Sequence, residues 1–320
     1  MSIRILSAAD VQAALPMPDA IAAMRRAFSQ VSAGRAVMPL RARLPTADGL
    51  TLVMPAYLPD GGDLAVKVVS VCEGNRARGL PAILGAVLVL DAETGAPRAL
   101  LDAASLTALR TGAGGGLAAD YLARRDAAVV ALFGAGVQAR AQLQAVLAVR
   151  AIQRVWIISR RPETARRLAD EIAGWPGGPW AEPAPDTATA VRQADLVITA
   201  TSAERPVFDG RDLRPGTHVT GVGAHTPTAQ EVDAETVRRA AKIVVDARAA
   251  AAVEAGDLIV PGAPIYAELG ELVNGRKPGR ESDAEITFFK SVGIAAQDAA
   301  AAGAVLAAAE ARGLGTLAAL

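Results

Sequence analysis

The chain has 320 residues, 52% of them hydrophobic, with 33 basic and 33 acidic side chains and no net charge. That length and apolar content suffice for two buried cores, so two domains are expected. Balanced charge without a basic run argues against a nucleic-acid partner, whose phosphates need clustered Lys and Arg. One cysteine, Cys72, excludes a disulfide framework within the chain. Beside a strand pattern it reads as a buried packing residue. No apolar block precedes a cleavage signal, and stretches such as residues 82–90 are too short to span a bilayer. A cytoplasmic protein with no membrane partner and no metal site is the expectation.

Ser7 with Asp10 forms a capping box opening a short helix, which Pro16 and Pro18 interrupt. Residues 19–33 follow as a second helix, with Ile21, Met24, Phe28 and Val31 on one face. The pattern then turns to strands at residues 50–54, 64–71 and 85–90, separated by Pro, Gly and Asp turns. Residues 91–95 and Pro97 read as a hairpin turn, and residues 103–122 as a helix.

An alternation follows. Strands are predicted at residues 129–133, 155–159, 196–200, 218–222 and 242–245, with helices at 138–149 and 162–173. A Pro/Gly-rich loop occupies residues 175–185. Strands spaced by helices imply βαβ units and a parallel sheet. Residues 294–320 read as an Ala-rich helix with no strand after it.

The densest signal is Gly134-Ala135-Gly136-Val137-Gln138-Ala139. An apolar β-branched run precedes it and a helical pattern follows. In such a turn Gly134 permits the tight bend and Gly136 admits a pyrophosphate to the backbone. Ala139 takes the small position where helix meets strand. A dinucleotide site is therefore predicted on residues 134–138. The richer glycine run of residues 111–116 follows a helical pattern instead, and reads as close helix packing or as backbone near a cofactor. The second strand ends in Ser159-Arg160-Arg161, where an NAD site usually carries Asp or Glu. A hydroxyl and two guanidiniums suit a phosphate dianion, so NADP(H) is favoured over NAD(H).

These motifs, taken with Met38-Pro-Leu-Arg41, Ala65-Val-Lys67, Leu106-Thr-Ala-Leu-Arg110-Thr111, Thr199-Ala-Thr201-Ser202, Gly221-Val-Gly-Ala-His225-Thr-Pro227, Glu254-Ala-Gly-Asp257, Glu268-Leu-Gly-Glu271 and Ile286-Thr-Phe-Phe-Lys-Ser291-Val-Gly293, resemble the ornithine cyclodeaminase/mu-crystallin family over nearly the whole chain. The resemblance implies an α/β fold: a Rossmann-type dinucleotide-binding domain (residues 118–293) plus a discontinuous α+β substrate-binding and dimerisation domain (residues 1–117 and 294–320). It implies a homodimer and a small amino or imino acid substrate. It places Arg41, Lys67 and Arg110 around that substrate, and Thr111, Thr201 and Ser291 beside the cofactor.

A substrate carboxylate held by Arg110 as a fork and Lys67 as a point charge fits those residue types. His225 is the departure, because the cyclodeaminases carry a catalytic Asp there. A histidine transfers protons near neutral pH but offers no fixed negative charge to a diamine. The apolar Ala82-Ile83-Leu84 also disfavours a polar ornithine side chain. The function expected is NAD(P)H-dependent reduction of small cyclic ketimines such as 1-pyrroline-2-carboxylate or 1-piperideine-2-carboxylate, with Lys67 and His225 catalytic. Ornithine cyclodeaminase, alanine dehydrogenase and a mu-crystallin-like NADPH-binding protein are the alternatives.

Overall fold

The computed structural model describes residues 2–320, the side chains of Glu73 and Arg76 excepted. The chain divides into two compact units, Met1–Arg110 with Gly293–Leu320, and Thr111–Val292. In chain order the first unit supplies β1 (Ser2–Leu6), α1 (Ala8–Ala14), α2 (Met17–Ser32), β2 (Ala42–Thr46), β3 (Gly49–Leu58), β4 (Asp63–Val71), β5 (Ile83–Leu90), β6 (Pro97–Asp102) and the start of α3 (Ala103–Leu122). The second carries β7 (Val129–Phe133), α4 (Val137–Leu147), β8 (Arg154–Ile158), α5 (Pro162–Ala173), β9 (Trp180–Pro183), α6 (Thr187–Gln193), β10 (Leu196–Thr199), β11 (His218–Gly221), α7 (Ala234–Arg239), β12 (Lys242–Val245), α8 (Arg248–Glu254), α9 (Gly256–Ile259), β13 (Ala267–Glu268), α10 (Leu269–Val273) and β14 (Thr287–Lys290). The first unit is completed by α11 (Ala295–Arg312) and β15 (Thr316–Ala319). The sequence reading puts the junctions at 117/118 and 293/294. The units divide at 110/111 and 292/293, the first inside α3.

In the first unit a sheet ordered β15-β1-β6-β5-β4-β3-β2 is antiparallel except where β1 meets β6. The long α11 lies over β3 and β4, against α2. Strand periodicity turns Ala65, Lys67 and Val69 to the buried face and leaves Val68 exposed. Cross-strand register sets Met54 and Val87 directly beside Lys67, and both are buried.

In the second unit the sheet is ordered β13-β12-β14-β11-β10-β7-β8-β9, and every pairing is parallel. Helices cover the faces, and the central strands β7, β8 and β10 are accordingly apolar runs. Leu132, Val155, Ile157 and Ile198 meet Leu143 and Val146 of α4 and Leu168 and Ile172 of α5 in one core. The glycines of residues 111–116 serve helix packing, the first of the two readings. A Cβ on Gly112 would stand 2.4 Å from the Ala141 carbonyl oxygen, and one on Gly116 2.7 Å from the Ala145 Cβ. The end of α3 lacks a basic residue of its own. Arg150 donates to the carbonyls of Ala119, Asp120 and Ala123, and Arg280 to that of Leu122, so both satisfy orphan acceptors.

Several expectations are corrected. Residues 180–183 are not loop: β9 is a short edge strand, and Pro183 is tolerated there because an edge position needs no donor. A strand does follow the last helix. Gly313 ends α11 in the left-handed conformation, and β15 then pairs with β1. Pro18 lies inside the first turn of α2 instead of interrupting, since a proline's missing N–H costs nothing there. Cys72 is half-buried, not buried. Among the described residues, no helix is long and apolar enough to cross a membrane.

His218, read as structural, is buried in β11 with its Nδ1 2.9 Å from Thr287 Oγ1 and its Nε2 3.0 Å from Thr220 Oγ1. Thr287 Oγ1 donates to the Leu122 carbonyl, so it accepts from His218 Nδ1–H, and Thr220 donates to Nε2. Burial first, then the charges of Arg280 and Arg150, push His218 down to about 3. The unfolded chain, near 6.5, binds the proton more readily, so the stability held by neutral His218 is complete above pH 6.5 and lost as pH falls towards 3. In urea unfolding, His218→Asn should lower stability at neutral pH and narrow its gap from the wild type as pH drops below 6.5. A pH-independent gap would contradict this.

Candidate active site

The turn of residues 134–138 has the geometry its glycine motif requires. Gly134 adopts φ +107°, a conformation L side chains rarely adopt, and a Cβ there would lie 2.4 Å from the Ala200 carbonyl oxygen. Its N–H donates to the Ile158 carbonyl. Gly136 is the N-cap of α4, with no side chain capping the helix and open space where its Cβ would be. Arg140 donates to the carbonyls of Ala135 and Gly136, engaging acceptors that would otherwise face an anion. Val137 is 67% exposed, an apolar side chain without cover at the mouth of the turn. Gln138 Oε1 is buried without a hydrogen-bond partner among the described residues. Uncapped N–H groups, an open Gly136 and an orphaned acceptor together fit a pyrophosphate and its sugars.

At the end of β8, Ser159 Oγ lies 2.6 Å from Thr164 Oγ1, while Arg160 and Arg161 are exposed. Arg161 is the N-cap residue of α5, again without a side-chain cap.

The loops after β10 and β11 are tied together by Glu231, which the sequence reading left aside. Its carboxylate is fully buried and accepts from Thr201 N–H and Oγ1 (both 2.7 Å), Thr199 Oγ1 (3.2 Å), Gly223 N–H (2.6 Å) and Ala224 N–H (3.1 Å). Beneath it, Asp257 accepts from the N–H groups of Glu231 and Val232 and pairs with Lys290 at 2.6 Å. Lys290 in turn donates to the Ala224 carbonyl. The backbone leading into His225 is thus held on both sides. His225 itself is exposed, with Nδ1 3.0 Å from the Gly223 carbonyl oxygen. The Thr201 hydroxyl proton goes to Glu231, and Ser291 Oγ donates to Asp246 at 3.1 Å. Thr111 is buried in α3, its carbonyl accepting from Gln142.

In the first unit Arg41, Lys67 and Arg110 are drawn towards the start of α11. Lys67 and Arg110 already share a carboxylate within the chain, because both reach Asp298. Lys67 Nζ donates to both carboxylate oxygens (3.0 and 3.1 Å) and to Thr107 Oγ1 (3.1 Å). Arg110 Nε donates to Asp298 Oδ1 at 3.0 Å, and its Nη1 to Gln297 Oε1 at 3.1 Å. Nη2 of Arg110 has no hydrogen-bond partner among the described residues. Arg41 Nη2 donates to the Gly293 carbonyl at 2.5 Å. Lys67 is 2% exposed and Asp298 1%. Burial pulls Lys67 down to about 8, although Asp298 opposes the fall. For Asp298, burial works to raise the carboxyl, but Arg110 and Lys67 outweigh it and hold it below the usual range. Two cations on one carboxylate leave a net positive charge, which suits an anionic ligand.

The family model for the ornithine cyclodeaminase/mu-crystallin family matches residues 1–313. A Delta(1)-pyrroline-2-carboxylate reductase of Bacillus cereus is 38% identical over 303 residues, covering 92% of this chain and 93% of the relative. Among solved structures, Thermococcus litoralis Delta(1)-pyrroline-2-carboxylate reductase, in complex with NADH and L-proline, matches with a TM-score of 0.93 at 40% identity over 98% of this chain and 99% of that one. An archaeal alanine dehydrogenase dimer with bound NAD matches with a TM-score of 0.93 at 35% identity over the full length of both chains. The chain belongs to the ornithine cyclodeaminase/mu-crystallin family.

Proposed function

We propose that this chain is an NAD(P)H-dependent reductase of small cyclic ketimines, 1-pyrroline-2-carboxylate or its six-membered homologue. The observation that carries the reading is the buried Lys67–Asp298–Arg110 cluster. It retains one net positive charge, and a guanidinium edge of Arg110 is left open for a carboxylate. The neighbours of Lys67 on the sheet, Met54 and Val87, are apolar and suit a ring. Asp298 is already shared by two cations, so the second ammonium of ornithine finds no counter-ion among the described residues of this cluster. The names of the reductase relatives point the same way.

Residues 134–138 hold the cofactor's pyrophosphate, with Thr111, Thr201 and Ser291 as further cofactor-contacting positions. When bound, the reduced nicotinamide supplies a hydride for the imine carbon. Arg41, Lys67 and Arg110 bind and orient the substrate carboxylate. His225, on a loop fixed by Glu231 and Lys290, delivers the proton to the nitrogen. His225→Ala should lower kcat by about 10²- to 10⁴-fold, with cofactor affinity retained. Unchanged turnover would assign the proton elsewhere.

Ser159, Arg160 and Arg161 give a preference for NADP(H) over NAD(H). In support, no carboxylate ends β8, and the two exposed guanidiniums that follow it are of a kind that suits a ribose phosphate. Titration calorimetry of an Arg160→Ala/Arg161→Ala double variant should find NADPH binding weakened about 10- to 100-fold, with NADH nearly unaffected. Equal wild-type affinity for the two coenzymes would refute the preference. The functional unit is a homodimer. The outer sheet face of the first unit exposes Val68, Leu84 and Leu100, an apolar surface that a second copy would cover.

The direct test is coenzyme oxidation by the purified protein, screened against both cyclic imino acids, with ornithine and alanine in parallel. Turnover of the cyclic imines is the expected result. Proline formed from ornithine without net coenzyme consumption would make the protein a cyclodeaminase. Tight coenzyme binding without any turnover would make it a binding protein.

A further inference from the structure

We propose that Asp298 is the positioning residue of the substrate site, one carboxylate that orients Arg110 and Lys67 together and keeps Lys67 an ammonium. This rests on the reductase reading above. Asp298 Oδ1 is shared between Lys67 Nζ and Arg110 Nε, both at 3.0 Å, so the two cations are registered on a single atom. With Nε spent on Asp298 and Nη1 on Gln297, the Nη2 edge of Arg110 is the one left for a ligand. Gln297 is held in turn: its Oε1 also accepts from the Ile294 N–H. That leaves no freedom to flip the amide without losing two bonds. Both Gln297 and Asp298 stand in the first turn of α11, where the helix N-terminus favours a carboxylate.

The charged groups facing Lys67 are Asp298 from α11, Arg110 from α3 and Arg41. Burial, Arg110 and Arg41 all favour the neutral amine, and Asp298 alone opposes them. A neutral Lys67 would remove the cluster's net positive charge and with it the attraction for the substrate carboxylate. Asp298 is therefore not merely a buried counter-ion, because it decides the charge the substrate meets.

The chain contains only four lysines, Lys67, Lys242, Lys277 and Lys290. Carbon-13 label at lysine Cε thus gives few NMR signals, and Lys67→Met identifies the one from Lys67. In full-length Asp298→Asn the Lys67 titration should fall by about one to three pH units. At neutral pH kcat/KM for 1-pyrroline-2-carboxylate should fall with it, because a neutral Lys67 no longer attracts the carboxylate. Asp298→Glu keeps the charge but displaces it. Its Lys67 titration should stay near that of the wild type while kcat drops about tenfold or more. Asp298→Glu remains informative should the Asn variant fail to fold. An unmoved Lys67 titration in Asp298→Asn, or wild-type kcat in Asp298→Glu, would overturn the proposal. Should the wild type reduce no cyclic imine, the reductase reading fails, and the Lys67 titration still decides whether Asp298 governs its charge.

Discussion

Lys67→Met should cost about 10³-fold or more in kcat/KM for a cyclic ketimine while leaving coenzyme affinity within about threefold. Methionine matches the length of the lysine stem, so the loss is one of charge and not of packing. It takes the cluster from one net positive charge to none and removes the ammonium that spans both oxygens of Asp298. An orienting contact worth about 4 kcal/mol corresponds to a rate factor of this size. Stability should change far less than activity, because Arg110 stays paired with Asp298 and the burial cost of the Lys67 ammonium is relieved. Urea unfolding in parallel with steady-state kinetics separates the two effects. If kcat/KM stays within tenfold of the wild type in a folded variant, Lys67 does not serve the substrate.

Gly134→Ala should abolish coenzyme uptake and destabilise the second unit, whereas Gly136→Ala should do only the first. At Gly134 the backbone φ of +107° and an oxygen 2.4 Å from the new Cβ both oppose any side chain. The conformational strain alone is worth about 1–3 kcal/mol. At Gly136 φ is −92° and nothing lies within 4 Å of the new Cβ, so the fold should tolerate alanine. The added methyl would instead occupy the approach to the α4 N–H groups that a pyrophosphate needs. Calorimetric titration with NADPH, paired with thermal unfolding, reads both. Normal coenzyme binding by Gly136→Ala would remove residues 134–138 from the site.

The strand–turn–helix at residues 129–147, proposed to take the coenzyme, is legible in the sequence because its signal is local. An apolar strand, two spaced glycines and a helical period all fall within about 20 residues and need no knowledge of the remainder of the chain. The sequence points to Lys67 and Arg110 as candidates, but not to the carboxylate they share. Asp298 is 231 residues from Lys67 in sequence, and a single carboxylate in an alanine-rich helix carries no motif. One signal was available: Ala295, Ala299 and Ala302 make a buried stripe in α11, and an acid within such a stripe needs a partner. Glu231 was passed over for a related reason. Its five contacts are mostly to backbone N–H groups, which no residue pattern announces. β9 and β15 were lost because short edge strands lack the alternation that marks a half-buried one. For β15, Gly313 and Gly315 were stop signals that an alanine-rich tail concealed.

Coenzyme hydride should go to the α-carbon of a cyclic imino acid. Incubating the protein with 1-pyrroline-2-carboxylate and NADPH deuterated at the transferring position of nicotinamide C4 tests it most directly, with mass spectrometry of the product. Proline carrying a single deuterium at Cα is the predicted result. Unlabelled proline, or no proline while the coenzyme stays reduced, would contradict it.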